Sequence, residues 1–301
     1  MSLLVTGSIG IDTVEAPSGT VEEALGGSSV YFSYAASFFT DVRFVGVVGD
    51  DCPEDFLEPL QHNPRIDMTG LEVRPGSKTF RWHGRYHEDV NRRDTVSVEL
   101  NVLAEVGPSI PQRFRDSEYV FLANTHPALQ LELLGQLADS KLVVADTMDI
   151  WITTEKDALG ELVRHIDGLV LNDSEARLLT KCPNVIAAGR EIARDVRKFV
   201  VIKKGEHGSL LFVGDSVCPL PSYPCPNVVD PTGAGDTFAG AMMGYLADRN
   251  RCDEATLRRA IAYGTVTASL ALEDFSLNRL FGVTREDIDD RLAEFRHLTA
   301  F

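Results

Sequence analysis

A doubly wound α/β fold, with a mostly parallel central sheet, helices on both of its faces and a small separate β-sheet, is predicted for this 301-residue chain by three features. Short apolar runs of strand length alternate with longer segments of helical periodicity, the pattern of successive βα units. Nearly every such strand ends on a polar or glycine-rich junction, where open α/β sheets gather their ligands. A hydrophobic content of 44% is ample for a large core, as one domain over residues 1–301 with excursions at about 13–25 and 69–101.

The expected strands are Leu3–Gly7, Phe44–Gly49, Tyr119–Ala123, Leu142–Asp146, Gly168–Asn172 and Phe199–Lys203. Between and after them, helical spacing predicts Ser28–Phe39, Glu54–His62, Ala128–Ala138, Lys156–Ile166, Ser174–Thr180, Arg190–Lys198, Asp253–Leu272 and Thr284–His297. From Thr69 to Asn101 no long helical period exists. Lys78–Tyr86 and Asp94–Leu100 alternate instead as strands of a small sheet, joined by the polar run Glu88–Arg93, and Thr13–Leu25 offers it a further strand.

A net charge of −16 opposes binding to a phosphate backbone, so nucleic acid is not an expected partner. No apolar run approaches membrane-spanning length, and Met1–Gly7 lacks the basic lead of a signal peptide; a cytoplasmic protein is expected. The five cysteines are scattered without Cys-x-x-Cys spacing and read as reduced thiols.

The most informative stretch is Asp230-Pro231-Thr232-Gly233-Ala234-Gly235-Asp236. Beyond it Phe238, Ala241, Met242, Tyr245 and Leu246 recur at helical spacing, which puts Gly233, Ala234 and Gly235 at the N-terminus of a buried helix. Such an end offers unpaired N–H groups and the positive pole of the helix dipole to an anion. Asp236, in the first turn, aims a carboxylate at the same spot. An anion hole beside a carboxylate base is what phosphoryl transfer to a hydroxyl requires, although a glycine-rich turn with an N-terminal acid also serves as a plain cap.

This stretch resembles the C-terminal signature of the ribokinase (PfkB) family of sugar and nucleoside kinases, and weaker marks follow the family order along the chain. The resemblance implies Asp236 as general base and Gly233, Ala234 and Gly235 as anion hole. It implies Asp12 as a ligand of acceptor hydroxyls, with Gly26 and Gly27 as the diglycine motif that approaches the acceptor; alone, Asp12 reads as a loop cap. Tyr31 stands where many members carry an acceptor-binding asparagine, a departure from the family pattern. Asn172 and Glu175 match the family's Asn-x-x-Glu motif, which orders hydrated magnesium, while their spacing equally makes a helix cap. Gly205 and Gly208 are placed beside the nucleotide, while alone their segment reads as a plain hairpin turn feeding Leu210–Val213. Lys203 or Lys204 faces phosphate, and Asp146, at a strand's carboxyl end, faces the phosphates, holds magnesium through water or caps the next segment. ATP, Mg2+ and, near Asp230–Thr232, a monovalent cation are the implied cofactors. The small sheet is similar to the family's lid, over which a homodimer forms in one expectation. Phe80 and Trp82 read as sheet packing or as stacking on a base or sugar. Asn91, Arg92 and Arg93 read as a solvated turn, with one arginine able to meet a phosphate or carboxylate.

An ATP-dependent kinase of a hydroxymethyl group is thus expected, with a small sugar as first acceptor and a ribonucleoside as alternative. Two rivals differ in class: a sensing protein that keeps the fold without catalysis, and a nicotinamide-dependent dehydrogenase, which lacks its Gly-x-Gly-x-x-Gly after the first strand.

Overall fold

The computed structural model describes residues 2–300. Its strands in chain order are β1 (Ser2–Thr6), β2 (Gly10–Ala16), β3 (Gly19–Gly26), β4 (Asp41–Gly49), β5 (Ile66–Arg74), β6 (Phe80–Tyr86), β7 (Arg93–Glu99), β8 (Tyr119–Leu122), β9 (Leu142–Asp146), β10 (Gly168–Asn172), β11 (Phe199–Lys203), β12 (Ser209–Val213) and β13 (Ser216–Leu220). The larger sheet has the order β13-β12-β11-β10-β9-β8-β1-β4-β5, parallel from β11 to β5, with β12 and β13 added antiparallel. The smaller one has the order β3-β2-β6-β7. Both match the expected class.

Central strands such as β9 and β11 are continuous apolar runs because helices cover both faces. One core lies under the helices Ser28–Ser37, Ala234–Arg249 and Glu254–Ala271, the other under those of the opposite face, which include Lys156–His165 and Val185–Ile192. The Ser28–Ser37 and Ala234–Arg249 helices meet backbone to backbone. A Cβ on Gly240 would stand 2.2 Å from the Phe32 carbonyl oxygen, so only glycine permits that approach. No helix of the described residues is long and apolar enough to cross a membrane.

Three expectations shift. The helix placed at Arg190–Lys198 forms at Val185–Ile192, because Asn184 caps it: Asn184 Oδ1 accepts the N–H groups of Ile186 and Ala187, each at 3.0 Å. Glu54–His62 divides into a 3-10 turn, Glu54–Leu57, and one helical turn, Glu58–Gln61. Residues 69–74, taken with the excursion 69–101, lie in β5 and pair with β4 at the edge of the larger sheet. Half-buried alternation marks an edge strand without saying which sheet it joins. Within 13–25 the chain supplies parts of two strands, β2 and β3.

Candidate active site

Parallel pairing sets the carboxyl ends of β9, β10 and β11 side by side: Asn172 is opposite Lys203, and Val170 opposite Asp146. Over these ends stands the N-terminus of the Ala234–Arg249 helix. Gly233 caps it with φ 73°, a left-handed conformation suited to glycine, and a Cβ there would lie 2.4 Å from the Tyr31 ring. Lys203 reaches the same helix end, its Nζ 2.6 Å from the place of a Cβ on Gly235. Lys204 instead turns toward the His207 carbonyl oxygen at 3.5 Å, so of the two lysines Lys203 is the one aimed at the site.

The amides of the expected anion hole are not equivalent. Ala234 N–H donates to the Pro231 carbonyl oxygen at 3.3 Å, whereas those of Gly233 and Gly235 meet no backbone acceptor among the described residues. Asp236 lies one residue further, its carboxyl raised above the usual range by burial, with Lys203 pulling it back. Asp146 is raised further, by burial and by Asp236, and its Oδ1 is buried without a hydrogen-bond partner.

Asn172 and Glu175 form a reciprocal capping box: Asn172 Oδ1 accepts the Glu175 N–H at 2.8 Å, and Glu175 Oε2 accepts the Asn172 N–H at 2.7 Å. The cap is therefore real, and it leaves Glu175 Oε1 for other work. Burial lifts this carboxyl to about 7 against the pull of Lys203. Asp146, Glu175 and Asp236 thus share one nearby lysine, an excess of acid that calls for a cation. No three metal-ligating side chains of the described residues converge to hold a bare ion. Hard oxygens around a net negative site without such a cage suit magnesium that keeps its waters and rides on phosphates.

Across the cleft, Asp12 extends from β2 of the smaller sheet over Gly26, where a Cβ would stand 1.9 Å from Asp12 Oδ2. The Gly26-Gly27 segment is fixed by serines: Ser28 N–H donates to Ser8 Oγ at 3.0 Å, and Ser29 Oγ to the Ser8 carbonyl oxygen at 2.7 Å. Asp12 is 4% exposed and its Oδ1 has no partner. Burial, with Asp230 and Asp236 nearby, pushes it to about 8 although the Gly27 amide pulls the other way. A buried carboxyl with an unpaired oxygen is prepared for a ligand hydroxyl. Tyr31, in contrast, is 2% exposed, and its ring lies behind Gly233.

Gly205 and Gly208, at φ 53° and 79°, shape the β11–β12 turn beside Lys203. Asp230 spends Oδ1 on the Thr232 N–H at 2.8 Å and Oδ2 on the Ser276 N–H at 3.4 Å, fastening its loop. Trp82 packs with Val14 and Tyr86 inside the smaller sheet, while Phe80 lies against Gly10, two residues from Asp12. Tyr86 carries no site signal in the sequence, yet its Oη accepts from Thr232 Oγ1 at 3.2 Å; only the inward alternation of β6 hints at it. The hollow of about 580 Å³ lined by Asp41, Arg43, Arg65 and Asp67 lies at the amino ends of the strands, away from these groups.

The model of the pfkB family carbohydrate kinases matches residues 3–280. A cytidine kinase of Thermococcus kodakarensis is 31% identical over 269 residues, 86% of this chain and 95% of that protein. An aminoimidazole riboside kinase of Salmonella typhimurium is 24% identical over 89% of this chain and 88% of its own. Among solved structures, a Burkholderia thailandensis nucleoside kinase in complex with inosine superimposes with a TM-score of 0.77 at 20% identity, covering 99% of each chain.

Proposed function

We propose that this chain, which belongs to the pfkB family of carbohydrate kinases, is an ATP-dependent nucleoside kinase that phosphorylates a hydroxymethyl group of a ribonucleoside. The observation that carries the chemistry is the meeting, at one helix end, of the Asp236 carboxyl, the open amides of Gly233 and Gly235, and the Lys203 ammonium. Among family acceptors, a nucleoside is favoured over a free sugar by the cytidine kinase and by the inosine-bound kinase of the same fold. Phe80, lying against Gly10 near Asp12, supplies an aromatic face where a base would sit.

In this scheme Asp12 accepts hydrogen bonds from ribose hydroxyls and turns the acceptor hydroxyl toward Asp236. Asp236, whose ionised form Lys203 favours against the effect of burial, takes the hydroxyl proton as the acceptor oxygen bonds to the γ-phosphorus. The bond from that phosphorus to the bridging oxygen breaks, and its electrons leave with ADP. The amides of Gly233 and Gly235 carry the charge on the transferring group. Glu175, with Asn172 and Asp146 beside it, would hold hydrated magnesium, which would supply charge neutralisation on the phosphates. The turn at Gly205 and Gly208 borders the nucleotide. A monovalent cation beside the Asp230–Thr232 loop and a pair of copies joined at the smaller sheet complete the proposal. The second draws on β7, exposed along its length with Val96 and Val98 at the surface. Cytoplasmic placement suits the ATP requirement.

A panel of nucleosides and sugars assayed for ADP release is the test, with Asp236→Asn beside the wild type. Cytidine or another ribonucleoside is expected to give the highest kcat/KM, and Asp236→Asn to lose about 10³-fold in kcat. A free pentose or hexose outperforming every nucleoside would return the acceptor to the sugar class.

A further inference from the structure

Residues 272–277 join the helices Glu254–Ala271 and Asn278–Phe281, and within them Ser276 touches both halves of the site. Its N–H donates to Asp230 Oδ2 at 3.4 Å, and its Oγ donates to the Leu25 carbonyl oxygen at 2.6 Å. Asp230 opens the loop that leads to Gly233, and its other oxygen accepts the Thr232 N–H at 2.8 Å. Leu25 pairs across the strands with Ile11, the neighbour of Asp12, and is followed by Gly26, over which the Asp12 carboxyl lies. The Ser276 side chain also hydrogen-bonds the Tyr31 hydroxyl, and the Tyr31 ring lies against Gly233. One residue thus ties the segment that would grip the acceptor to the loop that would hold the transferring phosphoryl group, across 251 and 46 positions of the chain.

The backbone of Ser276 is strained. Its φ of 53° is the left-handed conformation, which a residue with a Cβ adopts at a penalty and glycine takes freely. A turn that needed only this backbone would be relieved by glycine. Serine adds a hydroxyl, and that hydroxyl reaches out of the turn to Leu25. The strain persists because both flanks are fixed: Glu273 accepts from Arg279 and from Arg291, each at 2.7 Å, and Phe275 packs against Val14 and Trp82 of the smaller sheet. A strained residue whose side chain bridges two parts of one site points to a role in aligning them.

We propose that Ser276 is a positioning residue whose hydroxyl holds segment 25–27, and with it Asp12, in register with the anion-hole loop, so that the acceptor oxygen meets the γ-phosphorus in line. The role rests on the kinase reading above and deepens it. Ser276 touches no reacting atom and exchanges no proton; it acts through the Leu25 carbonyl and the Asp230 carboxylate. A displacement of about 1 Å between the reacting atoms is enough to lower the rate about 10²-fold, and the loss of one hydrogen bond at this joint permits it.

Two variants separate the hydroxyl from the backbone. Ser276→Gly keeps the N–H to Asp230 and releases the strain, whereas Ser276→Ala keeps the strain; neither has the hydroxyl. With the best acceptor of the panel and MgATP, both should lose about 10²-fold in kcat, with KM for ATP changed by less than about twofold. Ser276→Gly should nonetheless melt within about 2 °C of the wild type, and Ser276→Ala about 2–4 °C below it. Turnover then follows the hydroxyl while stability follows the backbone, a split that a serine serving the fold alone would not produce. Ser276→Gly within about threefold of wild-type kcat overturns the assignment while Asp236 keeps its role. So does a kcat that falls only in step with the melting temperature across the two variants. A wild type that releases no ADP with any acceptor overturns the kinase site itself, and the role of Ser276 with it.

Discussion

The ammonium of Lys203 fills the space that a side chain at Gly235 would need, with Nζ 2.6 Å from the place of a Cβ. A strand end and a helix end are thereby joined by one flexible side chain, and its positive charge lies at the helix end proposed for phosphoryl transfer. Gly235→Ala should fold, because the obstructing atom is the far end of a lysine that can swing away. It should lose about tenfold in kcat as the ammonium moves and the local amide is crowded. Melting temperature within about 2 °C of wild type, measured beside kcat, separates this from a folding defect.

Asp12 and Gly26 are in tighter contact. A Cβ on Gly26 would stand 1.9 Å from Asp12 Oδ2, inside any permissible distance, so Gly26→Ala must push the carboxyl off its position. The acceptor loses its ligand while the nucleotide keeps every one of its own. KM for the acceptor should rise at least tenfold with KM for ATP changed by less than twofold. Equal rises in both would place Asp12 elsewhere in the reaction.

Tyr31 backs Gly233 with its ring, and Gly233 makes the left-handed turn that opens the proposed anion hole. Tyr31→Ala removes a fully buried aromatic and should cost about 3–5 kcal/mol of stability. Tyr31→Phe keeps the ring and should retain activity within about fivefold, as a wall would and a hydroxyl ligand would not. Urea unfolding and turnover of the two variants check this.

Much of this was readable beforehand because its causes are local. The runs Leu142–Asp146, Gly168–Asn172 and Phe199–Lys203 form strands at the residues expected, since a parallel strand buried on both faces leaves an unbroken apolar run. Asp236 is placed by the glycine-rich helix start in front of it. The aim of Lys203 rather than Lys204 was hidden: neighbouring residues on a strand face opposite ways, and which face meets the helix end is set by packing from Gly235, far along the chain. Tyr31 was set at the acceptor by its place where the family carries asparagine; that its ring also lies against Gly233 follows from packing with a segment about 200 residues on, which no local pattern announces. The helix Val185–Ile192 escaped because Asn184 starts it, six residues upstream of Arg190, where helical spacing placed the beginning.

The acid held inside the free enzyme sets a pH dependence whose direction is fixed. Asp12 releases its proton near 3.8 in the unfolded chain and holds it to about 8 in the folded one. Glu175 behaves likewise, from 4.5 to about 7. Between these limits the folded state binds more protons at both groups, so their contribution to stability declines as pH rises from about 5 to 8. The ligand-free protein should melt about 5–10 °C lower at pH 8 than at pH 5.5, measured by calorimetry. Asp12→Asn should remove part of that slope and raise the melting temperature at pH 8, though it weakens acceptor binding. With Asp236 as the proposed base, which accepts a proton only when ionised, activity should run the opposite way: kcat should climb through a transition above the ordinary carboxylate range. MgATP, whose magnesium answers the shared negative charge of Asp146, Glu175 and Asp236, should restore much of the lost stability at pH 8, and EDTA should abolish that gain. An Asp12→Asn protein whose melting temperature falls with pH as steeply as the wild type would show that this carboxyl is ionised throughout.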